Sequence, residues 1–199
     1  MATVSNLIME GNSTVDETFD NADWLAWFNG ALGELSLALN LEGKADVTID
    51  YDPYDPAILH RDFPLPADCI MLSAILDSNG QMLRLTTIDK AKEGSKIYEY
   101  GGRIYFSDDY PVGSTFSLLY TRRPAQLKND SDVPEVPEEF QQLLVIYGCY
   151  KSQLKDDELE RAQMFYMEYL AQKKNFETHM KRTRPKKSMG YGSSWQVIR

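Results

Sequence analysis

NADWLAWFNGALGELSLALN, residues 21–40, is the stretch that decides the fold of this 199-residue chain. Its apolar residues recur every three or four positions from Trp24 to Leu39, which predicts an amphipathic helix over about residues 21–40. Asp20 or Asn21 can cap this helix by accepting a hydrogen bond from a free amide of the first turn. Because the apolar face is broad and carries two tryptophans, we expect it to pack on something larger than one partner helix.

Two more helices are predicted towards the other end of the chain. Pro137 stands at a first helical position, where proline is well tolerated, and Glu138 and Glu139 complement the positive end of the helix dipole. A longer helix follows, capped by Asp156 or Asp157, and runs to about residue 180. The apolar residues expected to face inward are Phe140, Leu143, Leu144, Tyr147, Leu154, Leu159, Ala162, Phe165, Tyr166, Tyr169, Leu170, Phe176 and Met180.

Between these helices the apolar spacing changes to that of β-strands. Asn79-Gly80 and Gly101-Gly102 favour tight hairpin turns. Pro66-Ala67-Asp68 could instead start a short helix through residue 74. The predicted strands are Val47–Tyr51, Cys69–Leu76, Met82–Ile88, Ile97–Tyr100, Arg103–Phe106 and Thr115–Tyr120, the last with Phe116, Leu118 and Tyr120 on one face. The expectation is one small antiparallel sheet.

The predicted fold class is therefore α+β, an antiparallel bundle of about three helices with an inserted small antiparallel β-sheet and an extended C-terminal tail. Residues 1–19 are polar and mixed, and Gly11-Asn12-Ser13-Thr14 are predicted as loop. The expected divisions are a first segment with the first bundle helix (1–45), the β insertion (46–124), two further bundle helices (125–181) and a basic tail (182–199). Residues expected in the bundle core or at a subunit interface are Trp24, Trp27, Phe28, Phe140, Leu144, Tyr147, Phe165 and Tyr169.

Charge is distributed unevenly along the chain. The formal net charge is −9, but six basic residues and no acidic residue lie between Lys181 and Arg199, so residues 1–180 hold 15 basic and 30 acidic residues and carry −15. An acidic body repels the DNA backbone, which argues against tight DNA wrapping. The tail is too polar and glycine-rich to order itself, yet it contains the strand-prone run Trp195-Gln196-Val197-Ile198. This combination indicates ordering upon a partner.

The residue pattern disfavours several classes of function. Cys69 and Cys149 lie in apolar runs, as buried reduced thiols do, and His60 and His179 form no zinc-ligand spacing. No hydrolase nucleophile motif or phosphate-binding loop is found. No apolar run approaches the roughly 20 residues of a membrane helix, and the beginning lacks a signal-peptide layout. We therefore expect a soluble, cytoplasmically made protein that is not an enzyme and has no cofactor, metal or membrane partner.

Two clusters of polar and aromatic residues invite a sharper interpretation. Asp50, Asp52 and Asp55 lack the central glycine and closing glutamate of a calcium loop, and the neighbouring prolines explain them as turn residues. The predicted sheet also holds four tyrosines, Tyr98, Tyr100, Tyr105 and Tyr120. These could stack on nucleic-acid bases, but the basic residues around them are few. We interpret them as core and subunit-interface aromatics.

Three stretches, in matching order and covering about half the chain, resemble the head-to-tail adaptor (connector) proteins of tailed bacteriophages. Residues 21–31 resemble the family's first helix, in which an Asn-x-Ala step follows an aromatic and aliphatic run. Residues 101–106 and 118–127 resemble the strand pair and the exit of its sheet, where a tyrosine is followed by a proline and a leucine. Residues 136–147, with 156–162 behind them, resemble the paired C-terminal helices.

The resemblance implies a structural protein of the virion neck, assembled in the host bacterial cytoplasm. It would form a homo-oligomeric ring of twelvefold symmetry, docked beneath the portal protein, with the β insertion facing the next tail or neck protein. Such rings conduct the genome during packaging and ejection, with transient non-specific contact to DNA. The tail residues that the resemblance assigns to portal binding are Arg184, Lys186, Lys187, Trp195, Val197 and Ile198.

Two alternatives stay open on the sequence. A tail-completion or other collar protein would have a similar layout and bind the tail tube instead of the portal. In a monomeric cytoplasmic binding module, the helix face that carries Trp24 and Trp27 would pack only in the protein's own core.

Overall fold

The computed structural model of the chain describes residues 2–52, 55, 59–86 and 97–183. The helices are α1 (Val4–Thr14), α2 (Asn21–Leu39), a 3₁₀-helix (Glu138–Phe140), α3 (Gln142–Lys155) and α4 (Leu159–Thr183). The strands are β1 (Leu41–Thr48), β2 (Asp50–Tyr51), β3 (Leu59–His60), β4 (Asp62–Pro64), β5 (Cys69–Leu76), β6 (Met82–Leu83), β7 (Ile97–Tyr100), β8 (Arg103–Phe106) and β9 (Thr115–Arg122). The described residues form a mixed α+β fold.

Helix α2 confirms the helix predicted over residues 21–40. The Asp20 carboxylate caps it by accepting a hydrogen bond from the Asp23 amide at 2.8 Å. At the other end, Asn40 takes the left-handed conformation, with φ 50°, and so stops the helix.

The four described α-helices alternate in direction. The start of α1 lies beside the start of α3, because the Ala2 amide donates to the Gln141 side chain at 3.2 Å. The end of α3 lies beside the start of α2, where Lys155 and Asp23 form an ion pair at 2.6 Å. Helix α4 then returns antiparallel to α3, with ring contacts at both ends of the pair. One hydrophobic cluster joins all four helices.

The prediction of a loop at Gly11-Asn12-Ser13-Thr14 is wrong, because these residues are the last turn of helix α1, and the described residues form four α-helices instead of about three. The sequence did not predict this helix because Gly11, Asn12 and Ser13 have low helix propensity. Tertiary packing outweighs that propensity, since one face of α1 enters the core. Its buried residues are Val4, Leu7, Ile8 and Gly11, whose three- and four-residue spacing is the signal that would have identified it.

Trp24 lies at the centre of the helical core and has no exposed surface. Its Nε1 donates to the Asn12 side-chain oxygen at 2.9 Å. The indole ring fills the space between Gly11 of α1 and Gly148 of α3. A Cβ atom on either glycine would lie 2.3 Å from a ring carbon. Helices α1, α2 and α3 therefore approach one another closely only because two glycines face this ring.

Within the described ranges the strands form three small antiparallel sheets instead of the single predicted sheet. One sheet has the order β1-β9-β5-β6, another has the order β4-β8-β7, and β2 pairs with β3. Phe116, Leu118 and Tyr120 of β9 are buried on one face, as predicted. The buried residues of the second hydrophobic cluster, which these sheets enclose, are Ile49, Ile75, Ile97, Ile104, Phe106, Phe116 and Leu118.

Both predicted hairpins are confirmed. Strands β5 and β6 pair across a turn in which Gly80 has φ 76°, and β7 and β8 pair across Gly101 and Gly102, with φ 58° and 73°. The alternative helix from Pro66 through residue 74 is wrong, because Cys69–Leu76 pairs with β9. The first strand begins at Leu41, earlier than predicted, and the short strands β3 and β4 were not predicted.

The starts of the last two helices differ from the prediction. Pro137 precedes the 3₁₀-helix instead of opening α3, which begins at Gln142. Helix α4 begins at Leu159, and the Ala162 amide bonds to the Glu158 carbonyl, so Glu158 occupies the position assigned to Asp156 or Asp157. Asp157 instead has φ 59° in the tight reversal between the helices. Asp156 and Asp157, which the sequence pattern suggested as caps of α4, form the two-residue turn between α3 and α4 instead.

Both cysteines are free thiols. Cys149 is buried as predicted, and burial raises its pKa to about 12. Cys69 is only partly buried, and that burial also raises its pKa. Neither thiol is activated as a nucleophile, because a raised pKa reduces the thiolate fraction.

An ion pair ties the irregular segment 123–136 to the sheet. Both guanidinium NH groups of Arg122 donate to the carboxylate of Glu135, at 2.9 and 2.6 Å, and the Ala125 amide donates to the same carboxylate at 2.7 Å. Arg122 lies at the end of β9, opposite Leu41 of β1. The pair therefore fixes the path by which the chain returns from the β-strands to the helices.

Glu135→Gln is expected to lower the free energy of unfolding by about 1–2 kcal/mol at neutral pH, because it removes a charge-assisted, two-point contact. The bond from Arg122 holds the pKa of the Glu135 carboxyl below its ordinary value of 4.5, although partial burial raises it. A lowered pKa stabilises the fold above that ordinary value, and this stabilisation is lost as the pH falls through the folded-state pKa. The difference between wild type and variant should therefore shrink below pH 4.5.

Urea unfolding of both proteins at neutral and acidic pH measures this difference. Asp108→Asn is a suitable control. Asp108 also pairs with an arginine, but its side chain is 99% exposed, so removing this ion pair should change the free energy of unfolding little. Equal stability of Glu135→Gln and wild type at neutral pH would contradict the prediction.

Candidate partner-binding surfaces

The eight residues predicted for the bundle core or a subunit interface lie together in the helical part. Five of them are buried, namely Trp24, Phe28, Leu144, Tyr147 and Tyr169. Trp27, Phe140 and Phe165 are partly buried against the same cluster. Contact of any of these residues with a neighbouring subunit stays a prediction.

A polar network joins three helices beside this core. Glu34 of α2 accepts hydrogen bonds from the Tyr169 hydroxyl at 3.0 Å and from Lys173 at 2.9 Å, both on α4. Burial raises the pKa of Glu34, but the bonds from Lys173 and Tyr169 outweigh it and the net shift is downward. Burial and the nearby Glu34 charge raise the pKa of Tyr147, on α3, to about 12. The network fixes the positions of α2, α3 and α4 relative to one another.

Helix α4 presents an apolar surface to solvent. Its buried residues, Ala162, Tyr169 and Phe176, are seven positions apart, so only a narrow stripe enters the core. Five large apolar side chains of α4 are exposed, and we call them the α4 face: Leu159, Tyr166 and Leu170 lie beside the buried stripe, whereas Met164 and Met167 lie further round the helix. Met164 is 73% exposed, Leu159 67% and Met167 60%. Methionine and tyrosine in such a cluster are typical of protein interfaces.

The sequence pattern placed part of this face in the core, and that prediction is wrong. Leu159, Tyr166 and Leu170 were expected to face inward, as was Leu154 of α3, and all four are exposed. The error arises because two apolar stripes lie side by side on α4, and both repeat every three or four residues. Only the packing of α3 against α4 decides which stripe is buried.

The α4 face continues into an aromatic group at its edge. The rings of Tyr150 and Tyr166 lie 4.9 Å apart, and the Lys151 ammonium lies 4.9 Å from the centre of the Tyr150 ring. These contacts hold large side chains in place before any partner binds, which lowers the entropy cost of association.

The three-stranded sheet carries a second aromatic surface. The rings of Tyr98 and Tyr105 stack at 4.8 Å, and Tyr100 at the hairpin is 59% exposed. Beside them, Arg103 donates to Asp62 at 2.8 Å. Of the four tyrosines noted in the sequence, only Tyr120 is buried, and its hydroxyl donates to Asp68 at 3.1 Å.

The aspartates of residues 50–55 make local contacts. The Asp50 carboxylate accepts from the Tyr51 amide, and that of Asp52 accepts from the Asp55 amide and lies 3.1 Å from His60 Nε2. The bonds of Asp52 fit a turn residue, as predicted from the prolines, whereas Asp50 lies in strand β2. In the described ranges no group of three or more His, Cys, Asp or Glu side chains is arranged to hold a metal ion.

The predicted portal-binding residues of the tail lie outside the described residues. They are Arg184, Lys186, Lys187, Trp195, Val197 and Ile198. No helix within the described part of the chain is long and apolar enough to span a membrane.

Fold and surfaces together define a mixed α+β protein whose exposed apolar and aromatic faces are suited to contacts with other proteins. No curated protein matches the chain at the level taken as significant. The model of the SU10 adaptor protein family matches residues 2–189. The chain belongs to this family of phage head-to-tail adaptors. It is thus a phage structural adaptor protein, a component of the virion neck, and its family binds portal and tail proteins.

Proposed function

We propose that this protein is one subunit of a ring, twelvefold in symmetry, that lies between the portal and the tail and conducts the genome during packaging and ejection. The exposed α4 face carries this proposal, because a monomer gains nothing by leaving five large apolar side chains on one helix in water. In a ring, each α4 face would pack against the helical part of the next subunit. Family membership supports this role over that of a monomeric cytoplasmic module.

The side of the ring that faces the tail would be formed by the β insertion. The exposed Tyr100 and the partly buried Tyr98, Tyr105 and Arg103 are the residue types that interfaces favour. The body charge of −15 over residues 1–180 fits a passage for DNA, since like charge prevents the genome from adhering to the wall. Contact with the genome would then be transient and non-specific.

Attachment to the portal is assigned to the basic tail. Arg184, Lys186 and Lys187 would attract an acidic portal surface, and Trp195, Val197 and Ile198 would fill a groove or add a strand to a portal sheet. The tail follows α4 directly, so it can extend away from the bundle without disturbing it.

Deleting residues 183–199 is expected to leave the fold intact and to abolish attachment to the portal. Pull-down of purified portal with wild-type and shortened chains measures attachment, and circular dichroism with thermal unfolding checks the fold. Lys186→Ser/Lys187→Ser is the matched control for charge, and it should weaken attachment mainly at low salt, because salt screens exposed charges. A shortened chain that binds portals with unchanged affinity would overturn the assignment.

A further inference from the structure

Among the described residues, no strand pairs with one edge of the four-stranded sheet. Strand β1 pairs only with β9, in unbroken register from Leu41 opposite Arg122 to Thr48 opposite Thr115. Alternate residues of an antiparallel strand direct N–H and C=O groups away from their partner strand. Among the described residues, no backbone hydrogen bond outside the sheet ladder involves β1. These outward groups are therefore available to another strand.

Strand β1 lacks most of the features that usually protect an edge. The opposite edge, β6, has two residues, whereas β1 has eight. No proline or bulge interrupts β1, although the register between β5 and β9 shifts twice. Its charged side chains lie on one face only, where Lys44 pairs with Asp46 at 3.3 Å. Long, regular edges of this kind are templates for an added strand.

The other face of β1 borders the β-sheet core. Gly43, Ala45 and Val47 lie opposite the buried Tyr120, Leu118 and Phe116 of β9. These three residues of β1 are only half-buried, and the Tyr120 ring lies over Gly43, where a Cβ would be 2.5 Å from it. Because the β1 side chains are small, an added strand with large apolar side chains would extend the core at this rim.

We propose that, in the free protein, the run Trp195-Gln196-Val197-Ile198 of the same chain pairs with the open edge of β1. Trp195 and Val197 would point to the core side, beside Gly43, Ala45 and Val47, while Gln196 faces solvent. The basic residues Lys186 and Lys187 precede this run, and Glu42 and Asp46 lie exposed on β1. Strand addition and charge complementarity thus favour the same occupant.

The connection to β1 is short enough. Lys181 of α4 and Leu37 of α2 line one shallow cavity, so the tail starts beside the end of α2. Strand β1 begins directly after the α2 cap at Asn40. The 11 residues 184–194 can span up to ~36 Å, and β1 is only ~27 Å long. The run can therefore reach any part of the edge.

This pairing does not require the portal. If the proposed function holds, the same run is later taken by the portal, so pairing with β1 would keep the tail bound to its own body until a portal competes for it. That regulatory consequence alone rests on the proposed function.

Amide hydrogen exchange of the full chain, without portal, tests the pairing. Wild type is compared with Trp195→Ser/Val197→Ser and with the control Gln196→Ser, which changes the solvent side of the same run. We expect outward amides of β1 to exchange at least about tenfold faster in the double variant than in wild type and the control. The amides bonded to β9 should not change.

Equal exchange in wild type and the double variant would overturn the pairing. Two other results would also overturn it. Protection of the outward β1 amides that is lost on dilution would show that the run binds a second copy. Protection that develops only when a portal or tail protein is added would show that the run does not pair with β1 in the free protein. The proposed function is judged separately by portal pull-down. Failure of the exchange experiment alone would leave it standing.

Discussion

Gly148→Ala is expected to lower the free energy of unfolding by about 3 kcal/mol, the upper part of the range for overpacked cores. The new methyl group would lie 2.3 Å from a carbon of the Trp24 ring and 3.3 Å from Phe28. The ring has no room to move aside, because Gly11 also approaches its six-membered ring closely and Asn12 accepts a hydrogen bond from its Nε1. Either α3 must shift away from α2 or the indole must leave its position.

Urea and thermal unfolding of the purified variant measure this effect. For a chain of this size the loss corresponds to a fall in Tm of about 6–12 °C. Gly11→Ala should behave in the same way, because its methyl group meets the same ring.

Gly33→Ala is the matched control. Gly33 also lies inside a helix, but a Cβ there would meet nothing within 4 Å, and the position is exposed. Alanine favours helix over glycine by about 0.5–1 kcal/mol, so this variant should be as stable as wild type or more stable. Equal stability of Gly148→Ala and Gly33→Ala would refute the proposed packing of Trp24.

Met164→Glu/Met167→Glu is expected to prevent ring formation without affecting the fold of the subunit. Both methionines lie on the α4 face, and their exposure in the monomer means that glutamate costs little there. At a subunit interface each glutamate would be buried without a counter-charge, and the loss of a central apolar anchor costs about 2 kcal/mol or more. Two such losses weaken each contact by about 1,000-fold.

Electron microscopy of portals mixed with wild-type or variant protein counts the bound subunits. Asn175→Glu/Thr178→Glu is a matched control, since it adds the same charge at exposed polar positions three turns further along α4, beyond the five apolar side chains. The control should form complete rings, and the α4-face variant should leave portals bare or partly occupied. Complete rings of the Met164→Glu/Met167→Glu variant would exclude the α4 face from the subunit contact.

Local signals were sufficient for several elements. Asp20 and the apolar spacing from Trp24 onward located α2, and glycine pairs located both hairpins, because caps and positive-φ turns depend on nearby residues. Local signals failed for α1, whose glycine is required by the distant Trp24 ring. Gly11 is a weak helix former, but only glycine leaves room for the Trp24 ring at this position.

The order of the elements indicated the mixed α+β class, and three stretches in matching order carried the family resemblance, which the match over residues 2–189 confirms. Only the tertiary structure decided which of the two apolar stripes of α4 is buried, since both share one period and the choice depends on how α3 packs. It also decided that β1 is an edge, because a strand's place in a sheet depends on pairing with residues more than 60 positions away. Periodicity is a property of neighbouring residues, whereas burial and exposure are properties of the assembled fold.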